Sequence, residues 1–469
     1  MVLRLTLVLV CIGAADLTAQ VSEAELERFR GAVEAIRNEV LTTRGTYAKL
    51  VDLCQTAPGR LSGSPAAAAA VEWARQEMLE VGLENVRLEP CTVPHWERGK
   101  ISYLSIVAPP EAAGVRLPVL ALGGSVATPT EGITAEVLEV KSFEELHQRA
   151  AEARGRIVFF NRPMDPTQVD TFRAYGEAVG QRGQGAGEAA KVGGVAALVR
   201  SMTTRIDDVP HTGGMRYPEN VKRVPTAAVS TRGADRIAVL LKSGNKVTLH
   251  LRLDCRWRED APSFNVVGEL RGASLPDEVV VVGGHLDAWD VGDGAHDCGA
   301  GCCQAIEALR VLKKLNLRPR RTLRAVLFMN EENGLRGALA YHKQHKDQMQ
   351  KHGMALESDR GGFTPRGFTT NANPQAFAIL ERLVELLGDI GARELRKGGG
   401  GADISPMEDD GVVLVGYLPD GQRYFDLHHT EIDTIDKVNE RELELGTAAI
   451  ASLIYMVADL NKPLPRNPQ

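Results

Sequence analysis

Apolar residues first recur at helical spacing. Val33, Ile36, Val40 and Leu41 follow one another at intervals of three or four, apart from the final adjacent pair, and predict helix across residues 22–55. An alanine-rich helix is predicted over 66–81, and Val86-Arg87-Leu88-Glu89-Pro90 alternates as a strand does. Past Pro109-Pro110 the pattern becomes short strands (155–160, 196–199, 225–230) with helix near 188–192. After Ser263 it changes again. The continuous β-branched run Val279–Val282 reads as a strand buried on both faces. Helix is then predicted at 299–315, strand at 324–329, helix at 335–346, strand at 353–357, helix at 374–390, strand at 412–417 and helix at 440–460. Such alternation predicts an α/β fold, a mostly parallel mixed sheet flanked by helices. The middle segment reads as an inserted α+β module. The expected organisation is a signal peptide at 1–19, catalytic segments at 20–111 and 257–469, and the insertion at 112–256.

Composition narrows the function. At 469 residues the chain is too long for one ordinary domain, and its 43% hydrophobic and 25% charged residues are globular values. A formal net charge of −6 gives no basic excess, so nucleic acid is not an expected partner. Arg4 followed by the apolar run Leu5–Ala15 reads as a secretory signal with a cleavage site near Leu17-Thr18-Ala19. Secretion or a periplasmic location is expected, and no later run is apolar for long enough to span a membrane. In an oxidising compartment disulfides are permitted, and Cys91 and Cys255 at the insertion's two borders are candidates for one.

The candidate chemistry lies at the ends of the predicted strands. His285 and Asp287 follow one strand, and Asp297 precedes the next helix. Glu331 and Glu332 end another strand, Asp359 follows a third, and His428 and His429 come after Arg423-Tyr424-Phe425. In an open parallel sheet the carboxyl ends share one edge and line the ligand crevice, so residues distant in sequence converge there. Two His, two Asp and one Glu suit a pair of borderline divalent metals such as zinc, with one Asp able to bridge them. An adjacent Glu is then needed to carry the proton from water to the leaving amine, and Glu331 and Glu332 are both placed to divide these roles. Taken singly each residue has a plainer reading: scaffold His, helix-start Glu, N-cap Asp. Cys298, Cys302 and Cys303 at the helix start read as small buried residues.

The run Gly283–Gly292 with Gly294-Ala295-His296-Asp297 resembles the family of co-catalytic two-zinc exopeptidases. So do Arg60-Leu61-Ser62-Gly63-Ser64, Pro94–Gly99, Glu331-Glu332, Glu357-Ser358-Asp359 and His428–Thr434. The resemblance implies a zinc aminopeptidase-like fold with two Zn2+ per chain. His285 and Asp359 would hold one metal, Glu332 and His429 the other, and Asp297 would bridge. Glu331 would be the general base and acid, and Asp287 would orient the His285 ring. His428 is the fallback for His429. The insertion would be a protease-associated-type domain covering the cleft, and the chain would form homodimers. The implied activity is hydrolysis of dipeptides or short peptides with free termini. The alternatives are a broad-specificity zinc aminopeptidase and, on the same scaffold, an inactive peptide-binding protein; acyl transfer at glutamine termini needs only one zinc. Three positions depart from the family pattern: Cys298, His296 and Asn330. The first two add a thiol and an imidazole near the site. Substrate preference is expected to depend on the insertion and on residues 401–405.

Overall fold

A computed structural model describes residues 21–468, so the signal peptide expected at 1–19 lies outside the described residues. The larger of two main sheets has eight strands. In spatial order they are Glu84–Val93, Ala261–Leu270, Arg321–Phe328, Leu275–His285, His352–Glu357, Val413–Pro419, Pro365–Thr370 and Glu394–Lys397. The four from Arg321–Phe328 to Val413–Pro419 run parallel, and the outer pairings are mostly antiparallel. The fold is therefore the mixed α/β sheet that the alternation predicts.

Along Leu275–His285 successive valines divide between two cores. Val280 and Val282 join the helical face formed by Glu23–Thr43, Pro65–Glu80, Ala300–Lys314 and Glu440–Asp459. Val279 and Val281 join the opposite face with Phe328, Tyr341 and Met407. A strand buried on both faces needs apolar residues at every position, which is why this run is continuous rather than alternating.

The helix expected over 22–55 is two helices, Glu23–Thr43 and Gly45–Thr56. Arg44 between them adopts a left-handed conformation (φ 55°), and its N–H closes on Val40 O at 3.0 Å. Spacing hides this break because apolar residues continue through it. Packing requires it: a Cβ at Gly45 would stand 2.2 Å from Glu307 Oε1, so only glycine lets this turn reach the helix Ala300–Lys314.

A second sheet of seven strands spans Ser102–Ala108 to Thr248–Leu253. Its centre is parallel, Ile133–Val140, Ile157–Phe160, Ala196–Arg200 and Thr226–Val229 in that order. The boundary expected at 112 falls after this sheet's first strand. The two layers share apolar surface. Leu61 and Trp289 enter the core of the second sheet, and Phe363, Tyr424, Phe425 and Leu427 pack against its other face. The expected Cys91–Cys255 bridge is absent: both thiols are free and buried, and they belong to different cores. Proximity to the same border in sequence did not bring them together in space. Among the described residues no helix is long and apolar enough to cross a membrane.

Candidate metal centre

His285 is the last residue of its strand, in register with Phe328 of its neighbour, and Gly283 is in register with Glu357. The loops that follow these strand ends therefore open at one edge, and the acidic and histidine side chains meet there. His285 Nε2 lies 3.2 Å from Asp297 Oδ1 and 3.2 Å from Asp359 Oδ1. His429 Nε2 lies 3.3 Å from Asp297 Oδ2 and 3.1 Å from Glu332 Oε2. Asp297 thus turns one oxygen to each group. All five side chains named from the sequence are brought together. His428 Nε2 is farther out, 3.8 Å from Asp297 Oδ2, with its ring stacked on His429 at 3.5 Å.

These carboxylates lack cationic partners. Among the described residues no Lys or Arg forms an ion pair with Asp297, Glu332 or Asp359. Asp297 Oδ2 and Glu332 Oε1 are buried and accept no hydrogen bond. Burying unpaired carboxylates is costly. Burial, with the charge of Asp297 beside it, pushes Glu332 well above the carboxylate range. Burial acts the other way on His429, which together with neighbouring His428 holds it well below its usual value, as a neutral imidazole. Neutral His nitrogens and carboxylate oxygens within 4.8 Å of one another, among them the sets His285–Asp297–Glu332 and Asp297–His428–His429, fit a divalent cation.

Glu331 lines a cleft of about 800 Å³ between the two sheets, with Asp297, Glu332, Asp359, His428 and His429 in the same wall. Burial, assisted by the charges of Asp359 and Asp297, pushes Glu331 up to about 8, although His285 opposes the shift. A carboxyl poised there can take and return a proton near neutral pH.

Asp287 acts differently from the expected ring-orienting role. His285 Nδ1 bonds the backbone carbonyl of Asp287 at 2.9 Å, while the carboxylate stands 3.9 Å away. That carboxylate instead accepts from the backbone N–H groups of Asn330 (2.7 Å), Glu331 (3.0 Å) and Glu332 (3.4 Å). It pins the two glutamates in place through their main chain. Asn330, in a left-handed conformation (φ 75°), turns the chain at this point, and its side-chain amide donates to Ser62 Oγ at 2.8 Å.

The long motifs have structural explanations. Buried Arg60 donates to Leu286 O, Asp293 O and Gly294 O at 2.6, 2.6 and 2.8 Å, clamping the loop between His285 and Asp297. Asp433 accepts from the N–H groups of His296 and Asp297 at 2.9 and 3.1 Å, which ties the segment after His429 to the same loop. Arg98 donates to Asp290 and to Thr212 of the second sheet's unit.

Of the departures, His296 turns away from the site. Its ring stacks on Phe363 at 4.2 Å, and its Nδ1 accepts from Gly362 N at 3.1 Å. Cys298 Sγ donates to Ser358 O at 2.9 Å, and with His285 and Asp359 it forms another set of close donor atoms. Residues 401–405 do not line the cleft. They pack behind it, where Ile404 N donates to Glu357 Oε2 at 3.0 Å. Sequence reasoning missed Tyr175, Arg182 and Tyr217, which the second sheet's unit contributes to the cleft. No spacing or motif marks them, since they face the site only through packing between the sheets.

An open α/β sheet with this donor set at its carboxyl edge suits a metal-dependent hydrolase. The chain belongs to peptidase family M28, whose model matches residues 265–454. It is 38% identical to carboxypeptidase Q of Bos taurus, over 97% of this chain and 94% of that protein. The solved peptidase M28 precursor of Shewanella amazonensis has 32% identity and a TM-score of 0.90, covering 95% of this chain and 100% of that one. A zinc aminopeptidase of Bacillus subtilis shares the fold at 18% identity and a TM-score of 0.65, over 90% of this chain and 98% of that one. The kinship with carboxypeptidase Q makes the chain a metallo-exopeptidase.

Proposed function

We propose that this chain is an exported two-zinc exopeptidase that cleaves dipeptides or short peptides with free termini. The observation that carries the reading is Asp297, whose two oxygens face separate His-carboxylate groups at 3.2 and 3.3 Å. In this reading His285 and Asp359 would hold one zinc and Glu332 and His429 the other, with Asp297 serving both. Zinc held there would supply Lewis acidity toward the scissile carbonyl and toward water. The protein residues do the rest. Glu331 accepts a proton from water at its carboxylate and returns it to the leaving amine. Asp287 fixes Glu331 and Glu332 through their backbone N–H groups. The second sheet's unit, in the role of a protease-associated-type domain (the insertion expected near 112–256), walls the cleft. The signal-like start of the sequence supports export, and the family resemblance supports a homodimer.

A second reading, a broad-specificity aminopeptidase, draws support from the aminopeptidases among proteins of the same fold. One experiment addresses both. Zinc is titrated into the metal-free protein while cleavage of a free dipeptide, its N-acetyl form and its C-terminal amide is followed. Cleavage of the free dipeptide that saturates at two zincs per chain is expected. Saturation at one metal would sink the two-zinc reading, and equal cleavage of the amide would favour the aminopeptidase.

A further inference from the structure

One buried thiol stands apart from the others. Among the described residues six cysteines are buried and free. Cys54, Cys91, Cys302 and Cys303 pack in the apolar core of the helical face, and Cys255 in that of the second sheet. Cys298 is fully buried but joins none of the four apolar cores. A small hydrophobe that only filled space would belong to one of them.

The surroundings of Cys298 are polar and belong to the metal centre. It follows Asp297 in the chain, and its Sγ donates to Ser358 O at 2.9 Å, the carbonyl just before Asp359. A Cβ at Gly284, the residue before His285, would stand 2.9 Å from the same sulfur, and one at Gly301 would stand 2.8 Å from it. Two glycines thus leave a slot that the sulfur fills, against the backbone that carries two side chains of the cluster. There Sγ lies within 4.8 Å of ligand atoms of His285 and Asp359. His285 Nε2 and Asp359 Oδ1 are themselves 3.2 Å apart. The Asp287 carbonyl engages His285 Nδ1 at 2.9 Å, which fixes the ring proton there and leaves the Nε2 lone pair free.

Sulfur changes what such a group selects. Imidazole and carboxylate suit zinc and other borderline cations, whereas a thiolate favours soft ones. The other two groups, His285–Asp297–Glu332 and Asp297–His428–His429, contain no sulfur. The two halves of the cluster therefore differ in softness, although both hold histidine and carboxylate. When Cys298 binds a cation, its Sγ–H bond breaks, the proton passes to solvent, and a sulfur lone pair forms the metal–sulfur bond. Ser358 O gives up only a weak S–H donor.

We propose that Cys298 joins His285 and Asp359 in a site for one thiophilic divalent cation, such as cadmium, in preference to the sulfur-free half of the cluster. This rests on the metal-centre part of the reading above. The zinc-free protein is titrated with Cd2+ while bound cadmium and the ultraviolet thiolate-to-cadmium charge-transfer band are followed. The band should grow with the first cadmium per chain and then stop. It should be lost in Cys298→Ser and Cys298→Ala and kept in Cys302→Ser. X-ray absorption at the cadmium edge of the wild type reads a sulfur among the nearest neighbours directly, so the proposal stays testable where a variant fails to fold. Cadmium bound without a sulfur neighbour, or a band that depends on Cys302 instead, would overturn the proposal, while uptake of two zincs per chain would still uphold the two-zinc reading. A protein that takes up neither metal would overturn both.

Discussion

The sheet carries two buried acid–histidine clusters, and they are built on opposite logic. At the carboxyl edge, His285, Asp297, Glu332, Asp359 and His429 meet with no Lys or Arg among their ion pairs in the described residues, and two buried carboxylate oxygens accept no hydrogen bond. On the face covered by the helix Arg336–Gln344, Glu89 accepts from His345 at 2.9 Å and pairs with Arg87 at 2.7 Å. Beside it Glu269 pairs with Arg324 at 2.8 Å and accepts from Asn85 at 2.7 Å. Arg324 goes on to Tyr341 Oη, which contacts His352 Nε2, both at 3.0 Å. The second cluster is neutralised by cations from the chain itself. The first receives no Lys or Arg and groups its donor atoms as a metal site would. The two clusters share residue types and differ in whether a Lys or Arg of the chain meets the carboxylates.

The largest effect expected from this contrast is at the shared carboxylate. On the two-zinc proposal, Asp297→Ala should take activity to background and lower zinc at both positions together, since one side chain would serve both. Metal analysis after dialysis reads this directly, and stepwise loss of a single zinc would break the bridging assignment. Next is Glu331→Gln, which keeps the shape of the side chain and removes its proton chemistry. Turnover should fall by about 10²- to 10⁴-fold with zinc content unchanged. Near wild-type rates would remove Glu331 from its role.

The structural cluster should answer in the opposite currency, stability rather than rate. Arg324→Met strips Glu269 of its buried partner and should cost about 3 kcal/mol of unfolding free energy, softened by the remaining bonds from Asn85 and Arg87. Denaturant unfolding measures the loss. Zinc content and kcat of the folded fraction should stay at wild-type values, and a parallel drop in zinc would show that the two clusters are not independent.

Much of the carboxyl-edge cluster was legible in the sequence because strand order and strand ends follow from local pattern. The β-branched run Val279–Val282 marks a central strand, and everything just beyond such strands shares an edge. The bridging role proposed for Asp297 is implied only by the family resemblance, because one carboxylate in one loop carries no local mark of what its oxygens face. Asp287 shows the same limit: its position was right, but its carboxylate holds three backbone amides, a partner set set by the turn at Asn330. Arg182 and Tyr175 were invisible for a stronger reason. They belong to a different sheet, and only the packing of Trp289, Phe425 and their neighbours across the two layers brings them to the cleft.

The smallest effect expected is in acid, and it separates the clusters once more. Burial alone would raise Glu89, but its bonds to His345 and Arg87 outweigh burial and hold it below the usual Glu value. A carboxylate whose folded pKa is depressed contributes stability above its unfolded value, about 4.3, and loses it as pH falls through the lower folded value. The stability difference between wild type and Glu89→Gln should therefore be constant near neutral pH and shrink as pH drops below about 4. Thermal unfolding of both proteins in the zinc-free state isolates this contribution, because metal release in acid then adds nothing. A difference that stayed constant down to the acid limit would mean that Glu89 is held by packing rather than by its charge, and the contrast between a cluster with internal counter-ions and one without would lose its electrostatic basis.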